Sequence, residues 1–422
     1  MTGNHDPIVP RCGELSKPSH ICKDPSVDAE PVLVIVGASA RAAAESARQT
    51  GCLTAAADLF GDRDLRETSN WIGIQDYPLG VIQAVSRLPN GPWLYTGGLE
   101  NHPDLVDGIA AGRPLLGNPG PVLRAVRNPF RLADFLQRQG FNAPKALRPL
   151  PSAPAEVRWL CKPLHSSGGR GIQVVSQAAE HQRAVASRAG ESMIESRDRE
   201  CFYQQWIDGS SYSGVFVATQ GKATLIGVTR QMVGRRWTKA PPFTYCGSIW
   251  PSGLDRQTIR TLSRLGQCLA AEYRMTGLFG VDVIVGDDRM FVLEINPRYP
   301  ASAEVLEMAL DTGGSIVAHH IAACQKNLLP QVDSNGTGNC CGKAILFADC
   351  RVSVGSRFDS LLAQINADKH GKPLADIPAP GTIINAGQPI VTVRAQAETL
   401  TALMRCLKRL AHQVRSALDH PR

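Results

Sequence analysis

The sequence predicts a mixed α/β and α+β protein built in successive parts, and three observations carry that expectation. A β-branched run at residues 31–37 passes through a glycine into an alanine-rich helical stretch at 39–49 and a second strand at 54–59. Two strand-like segments, 280–285 and 290–296, are joined by the short turn Gly286-Asp287-Asp288. A proline- and glycine-rich stretch at 376–393 leads into a long helical pattern over 398–418.

The first observation is the strand–turn–helix–strand opening of a parallel, Rossmann-like unit, to which 93–96 and 114–117 add further strands. A helical period follows over 122–139 and stops at Gly140, with Pro144 just beyond. Segments 158–163 and 171–175 read as a hairpin around a glycine-rich connection. Further strands are expected at 201–207, 214–218 and 223–230, and helices at 255–272 and 303–312. The last helix is apolar at Leu400, Leu403, Leu407, Leu410, Val414 and Leu418, with Arg405, Lys408 and Arg409 on its wet side. That pattern describes a helix docked on a domain rather than a membrane anchor. The expected division is a disordered tail at 1–29, a Rossmann-like domain at 30–119, a second domain at 120–330 opened by a connecting helix at 120–150, and a β-rich segment with a terminal helix at 331–422.

Bulk properties exclude several classes. A chain of 422 residues has room for two to four domains, and 43% hydrophobic with 20% charged residues is ordinary for a globular protein. No apolar run approaches the ~18 residues of a membrane span. The first residues lack a basic patch followed by an apolar stretch, so no secretory signal is expected. The 12 cysteines show no C-x-x-C spacing, giving neither a disulfide framework nor a zinc pattern and favouring the cytoplasm. The net charge of +7 comes from scattered arginines without interleaved aromatics. It fits a solvated surface or an acidic small-molecule substrate and does not indicate nucleic acid. A homodimer is compatible with all of this.

Three segments carry chemistry. Lys162 leaves a strand beside Ser166, Ser167, Gly168, Gly169 and Gly171. Backbone amides of such a loop can close over polyphosphate oxygens, and glycine is needed because a Cβ would hold the backbone away. The order is not that of a P-loop, which needs Gly-Lys-Ser/Thr opening a helix. Next, Gln204, Gln205, Trp206 and Ile207 end a strand and offer backbone edges flanked by apolar walls. Third, Asp282 stands on one strand while Glu294 and Asn296, two apart, share a face of the next. Two carboxylates and an amide form a hard oxygen donor set suited to magnesium, with manganese as an alternative. Carboxylates among Phe279, Val281, Val283 and Leu293 are costly to bury unless a cation pairs with them. Arg298 follows directly in Asn-Pro-Arg. Arg230, Arg235 and Arg236, in the arginine- and aromatic-rich stretch 229–248, are candidate forks for a carboxylate or phosphate. His165 reads as a solvated loop residue. A dinucleotide oxidoreductase is set aside because Gly37-Ala-Ser-Ala-Arg lacks G-x-G-x-x-G.

In this order, over roughly residues 31–329, these features resemble the ATP-grasp superfamily, and the pattern is similar to carboxylate–amine ligases, including relatives of tyramine–glutamate ligase. The resemblance implies a Rossmann-like pre-ATP-grasp domain, an ATP-grasp domain and a small β-rich C-terminal segment like that of ATP-grasp carboxylases. It implies that Lys162 and the loop Ser166, Ser167, Gly168, Gly169 and Gly171 contact ATP phosphates, and that Gln204, Gln205, Trp206 and Ile207 hold adenine. Asp282, Glu294 and Asn296 would hold Mg2+, and Arg298 and Lys162 would serve catalysis. Arg230, Arg235, Arg236 and Arg298 would face the acceptor. Two positions depart from the family. Ser211 stands where an acid commonly meets the ribose, and Asn128-Pro129 stand where a basic residue meets phosphate, so either Arg127 or Arg131 supplies that contact or the contact is lost. The implied activity is an ADP-forming ligase that activates a small carboxylate as acyl-phosphate for attack by an amine, in cofactor biosynthesis. The alternatives are an ATP-grasp carboxylase or kinase, and a non-catalytic nucleotide-binding regulatory protein.

Overall fold

A computed structural model describes residues 32–148, 157–175, 201–287, 289–310, 312–332, 338–367 and 372–419. The expected tail at 1–29 lies outside them. The chain opens with β1 (Val32–Val36), α1 (Arg41–Arg48), β2 (Leu53–Asp58), α2 (Arg63–Thr68), β3 (Asn70–Gly73), α3 (Val81–Ser86), β4 (Trp93–Tyr95) and α4 (Pro103–Ala110). Its sheet is parallel in the order β3-β2-β1-β4. Helices cover both faces of such a sheet, which is why β1 is a continuous Val-Leu-Val-Ile-Val run rather than an alternating one. The expected strand at 114–117 reduces to a single bridge between Trp93 and Leu115.

The helical period at 122–139 is two helices, α5 (Gly120–Val126) and α6 (Pro129–Arg138). Asn128 breaks it: a residue before proline is disfavoured in helical geometry. Its side chain instead caps α6, accepting from Phe130 N–H at 3.1 Å and Arg131 N–H at 3.0 Å. A small antiparallel sheet follows, from β5 (Ala146–Leu147), β6 (Trp159–Pro163), β7 (Gln173–Val174) and β8 (Cys201–Gln205), in the order β5-β8-β6-β7.

The largest sheet comprises β9 (Ser210–Thr219), β10 (Lys222–Val233), β11 (Tyr245–Trp250), β12 (Gly277–Gly286), β13 (Arg289–Asn296), β14 (Cys340–Phe347), β16 (Leu374–Ala375) and β18 (Pro389–Ala397). Its order is β13-β12-β9-β10-β11-β14-β18-β16, so strands from the C-terminal segment extend the same sheet. β15 (Val352–Ser353) and β17 (Ile383–Ile384) pair separately. Five helices pack around these strands: α7 (Arg256–Tyr273), α8 (Ala303–Ala309), α9 (Ile316–Lys326), α10 (Ser356–Ala367) and α11 (Leu400–Ala417). α11 docks on β14 and β18 through Leu403, Leu407 and Val414, with Arg405, Lys408 and Arg409 in solvent. The expected stripe is shifted at its start, because Leu400 at the helix entrance is 42% exposed and Ala411 is buried instead. Among the described residues no helix is long and apolar enough to cross a membrane.

His320 on α9 joins the parallel sheet to the large one. Its Nδ1 accepts from Leu278 N–H at 2.8 Å and its Nε2 donates to Leu116 C=O at 3.1 Å, which requires the neutral ring. Burial pushes this histidine down from 6.5 to about 4. A depressed histidine stabilises the fold fully above the unfolded value, and that contribution disappears as pH falls from 6.5 towards 4. The shift corresponds to about 3 kcal/mol. Urea unfolding at pH 7.0, 5.5 and 4.5 is expected to show this acid loss. His320→Asn, with an acceptor oxygen but no titrating ring, should give a flatter curve, and equal slopes would refute the assignment.

Candidate functional site

A cavity of about 360 Å³ lies between the small sheet and the large one. The large sheet supplies its acidic floor. β12 and β13 pair antiparallel with Asp282 directly opposite Glu294, and a bulge follows at once, between Asp282 and Val283. An extra residue re-aims side chains at such a point, and Leu293, Glu294, Ile295 and Asn296 all line the cavity. Asn296 Nδ2 and Gln231 Nε2 each donate to Asp282 at 3.0 Å, one to each carboxylate oxygen. Withdrawal from solvent, reinforced by the neighbouring Glu294, nevertheless pushes Asp282 up to about 7. Burial raises Glu294 too, but Arg127, Lys162 and Arg298 together hold it below the ordinary carboxylate range. The floor is therefore one anion among cations beside a second carboxyl that ionises at the cost of repulsion. A divalent cation relieves such a pair, so the donor set fits the metal expected for it.

Cationic groups surround this floor. Lys162 leaves β6 and donates from Nζ to Gln204 Oε1 on β8 at 3.1 Å. Arg127, at the break between α5 and α6, reaches Glu294 Oε2 at 3.3 Å, Asn101 Oδ1 at 3.0 Å and the Ser166 carbonyl at 2.7 Å. Of the two arginines weighed for the missing basic contact, Arg127 lines the cavity and Arg131 is exposed. Arg298 Nε donates to Glu100 Oε1 at 2.9 Å, and its other nitrogens meet Tyr299 C=O at 3.1 Å and Asn296 Oδ1 at 3.3 Å. Glu100 sits in a short 3-10 turn after β4, with its side chain fully buried.

The serine–glycine loop covers one side. Gly168 and Gly169 have φ of +65° and +80°, and Gly168 C=O accepts from Tyr245 N–H at 3.1 Å. A Cβ on Gly169 would sit 1.9 Å from the Phe243 carbonyl oxygen, so only glycine permits this approach. Ser166, Ser167, Gly168 and Gly169 line the cavity, whereas Gly171 (φ +75°) packs beside Pro163 and does not. Gln204, Gln205, Trp206, Ile207 and Ser211 also line the cavity, and Trp206 meets the Phe243 ring beside the loop.

The acceptor arginines are a correction. Arg230, Arg235 and Arg236 are exposed and outside the cavity wall. Strand alternation decides the first: Gln231 points at Asp282, so Arg230 turns to the other face and meets Ser210 Oγ at 3.2 Å. Arg235 and Arg236 follow β10, in the connection to β11. Sequence reasoning missed Gln231, Ser213, Tyr245 and Glu100. The parity of β9 and β10 around Asp282 could have found Gln231 and Ser213, whereas nothing local marks Glu100.

A cavity between two sheets, lined by a glycine loop and by a pair of carboxylates, is an arrangement whose chemistry suits phosphate oxygens and a divalent cation. Residues 126–302 match the model of the ATP-grasp domain family, and the chain carries an ATP-grasp domain. The C-terminal section of the carbamoyl phosphate synthase large chain of Aquifex aeolicus is 22% identical over 175 residues, 41% of this chain and 32% of that relative. The chain spans less than two thirds of the length of the curated relatives it matches. An N5-carboxyaminoimidazole ribonucleotide synthetase, solved as its ADP complex, has a similar structure at TM-score 0.66 and 15% identity, covering 92% of this chain and 98% of that one. An L-amino acid ligase from Bacillus licheniformis is similar at TM-score 0.65 and 14% identity, with the same coverage of 92% and 98%. At these identities the likeness is one of fold.

Proposed function

We propose that this chain is an ADP-forming ligase that uses ATP and magnesium to activate a small carboxylate as an acyl-phosphate, which an amine then attacks to form a carbon–nitrogen bond. The observation that carries the reading is the pairing of Asp282 with Glu294 beneath Lys162, Arg127 and Arg298 at one end of the cavity. Adenine lies against Trp206 and Ile207, and the phosphates run towards Lys162, Arg127 and the loop amides of residues 166–169. Asp282, Glu294 and Asn296 would hold magnesium, which when bound would supply neutralising charge to the phosphate oxygens. The substrate carboxylate attacks the γ-phosphorus, and the bond to ADP breaks. The amine then attacks the acyl carbon, phosphate leaves, and the nitrogen gives up a proton. Arg298, pinned by Glu100, offers a fixed positive charge to the acyl-phosphate. The loop over the site excludes water from an intermediate that water would destroy.

The test is ADP release from ATP and magnesium across a matrix of carboxylates and amines. Release that needs both partners supports the ligase. Release driven by bicarbonate or a hydroxyl compound makes the chain a carboxylase or kinase, and bound ATP without turnover on any pair makes it a sensor.

The loop glycine offers a sharper check. Gly169→Ala is expected to weaken Mg·ATP binding about tenfold, because the strain of a positive φ and the Phe243 clash unseat the loop. Calorimetric titration with unchanged affinity would separate the loop from the nucleotide.

A further inference from the structure

Phe243 stands in the connection from β10 to β11 with a φ of +62°. A bulky side chain is uncommon in that region, because its Cβ crowds the backbone. Thr244 N–H donates to Pro241 C=O at 3.2 Å, so residues 241–244 form a turn with the positive φ at its third position. Glycine is the ordinary residue there. Gly234 N–H donates to Thr244 C=O at 2.9 Å and ties the turn to the end of β10. Residues strained in this way persist where their surroundings over-determine them, and they gather at ligand clamps and switches. The Phe243 ring meets Trp206 at 5.6 Å between centroids, with the planes at 79°. Its carbonyl oxygen lies where a Cβ on Gly169 would come within 1.9 Å, and Tyr245 N–H donates to Gly168 C=O at 3.1 Å. Trp206 is also held by Arg158, whose guanidinium carbon lies 4.7 Å over the ring, and by Asp208, which accepts from Nε1 at 2.8 Å. Phe243, Trp206, Gly168 and Gly169 all line the cavity.

We propose that Phe243 is a positioning residue of the nucleotide site: it clasps the Trp206 wall and the glycine loop to the large sheet, and so sets how fast a bound nucleotide leaves. Trp206 follows β8 and the glycine loop follows β6, both strands of the small sheet, whereas Phe243 leads into β11 of the large one. The ring and the carbonyl of one residue therefore join two separate parts of the small-sheet wall to the sheet that carries the acidic floor. Glycine would satisfy the turn at 243 without strain but would leave Trp206 without its aromatic neighbour. The inference rests on the nucleotide part of the ligase reading and adds to it the residue that governs release.

The experiment is calorimetric titration of the full chain with ADP in magnesium, together with stopped-flow displacement of fluorescent mant-ADP by excess ATP. Phe243→Ala and Phe243→Gly are each expected to bind ADP about tenfold more weakly, with the change in dissociation and with association within about threefold of the native protein. Phe243→Tyr keeps the ring and should stay within about threefold of native in both rates. Glycine takes the positive φ freely, so Phe243→Gly should melt above Phe243→Ala while releasing ADP equally fast, which separates the clasp from backbone strain. Native affinity and release in Phe243→Gly overturn the proposal, as does a loss carried by slower association. A loss in Phe243→Tyr equal to that in Phe243→Ala also overturns it. If Phe243→Ala fails to fold, Phe243→Gly and Phe243→Tyr decide. A native chain that binds no ADP removes the nucleotide reading itself, whereas ADP binding with release indifferent to the ring removes only the clasp.

Discussion

Replacing Glu294 by glutamine is expected to lower magnesium-dependent ADP release by about a thousandfold, the effect of losing several kcal/mol of transition-state charge stabilisation. The substitution is nearly isosteric but removes the charge that Arg127 meets at 3.3 Å. It also leaves Asp282 as the only carboxylate among the described residues that line the cavity. The half-saturating magnesium concentration should rise with the loss of rate, because the same atoms hold the ion. Circular dichroism and a thermal melt within a few degrees of the native protein would show that the loss is local. Full ADP release in the variant would mean that the acidic floor is not where magnesium and phosphate meet.

The second large effect concerns stability. Arg41 opens α1 with its side chain only 3% exposed, surrounded by Glu45 at 2.9 Å, Asp64 at 3.6 Å, Asp376 at 2.9 Å and a close contact with Glu304. Glu304 in turn takes Lys343 Nζ at 2.7 Å and Arg394 Nη1 at 3.0 Å. The network ties the first helix to α8 and to strands β14 and β18. Removing one member of a buried ionic set leaves its partners desolvated and uncompensated, which costs roughly 3–5 kcal/mol. Arg41→Met is therefore expected to lower the free energy of unfolding by about that amount, measured by guanidinium titration with fluorescence and circular dichroism. A loss of less than about 1 kcal/mol would mean that Lys343 and Arg394 suffice to neutralise the acids.

The two results differ in how far the sequence foretells them. The Asp282–Glu294–Asn296 constellation is local: two strands, one turn and the parity of side chains bring it to one face. The glycine loop is legible for the same reason, since its residues are adjacent. Arg127 was one of two choices because the break at Asn128-Pro129 decides which arginine turns inward, and the helical period alone runs straight through it. Arg230, Arg235 and Arg236 misled because a density of arginines and aromatics says nothing about which face a strand presents. Gln231, the next residue along, is the one that reaches Asp282. Beyond the helical neighbour Glu45, the Arg41 network is not legible locally, since Glu304 and Asp376 stand 263 and 335 residues away in sequence. Glu100 belongs with it: only the packing of the first sheet against Arg298 gives that carboxylate a role.

The strand order of the large sheet has a consequence for synthesis. β11 sits between β10 and β14, so the sheet that carries Asp282 and Glu294 is completed on that side only by residues 340–347 and beyond. While the chain is being made, all the proposed ligands for magnesium and phosphate emerge before that edge is covered. A nascent chain that has reached residue 330 therefore exposes the open backbone of Tyr245–Trp250, a ready template for pairing with a neighbour. Among the described residues beyond 340 none lines the cavity, yet β14 covers the edge of the sheet that carries its floor.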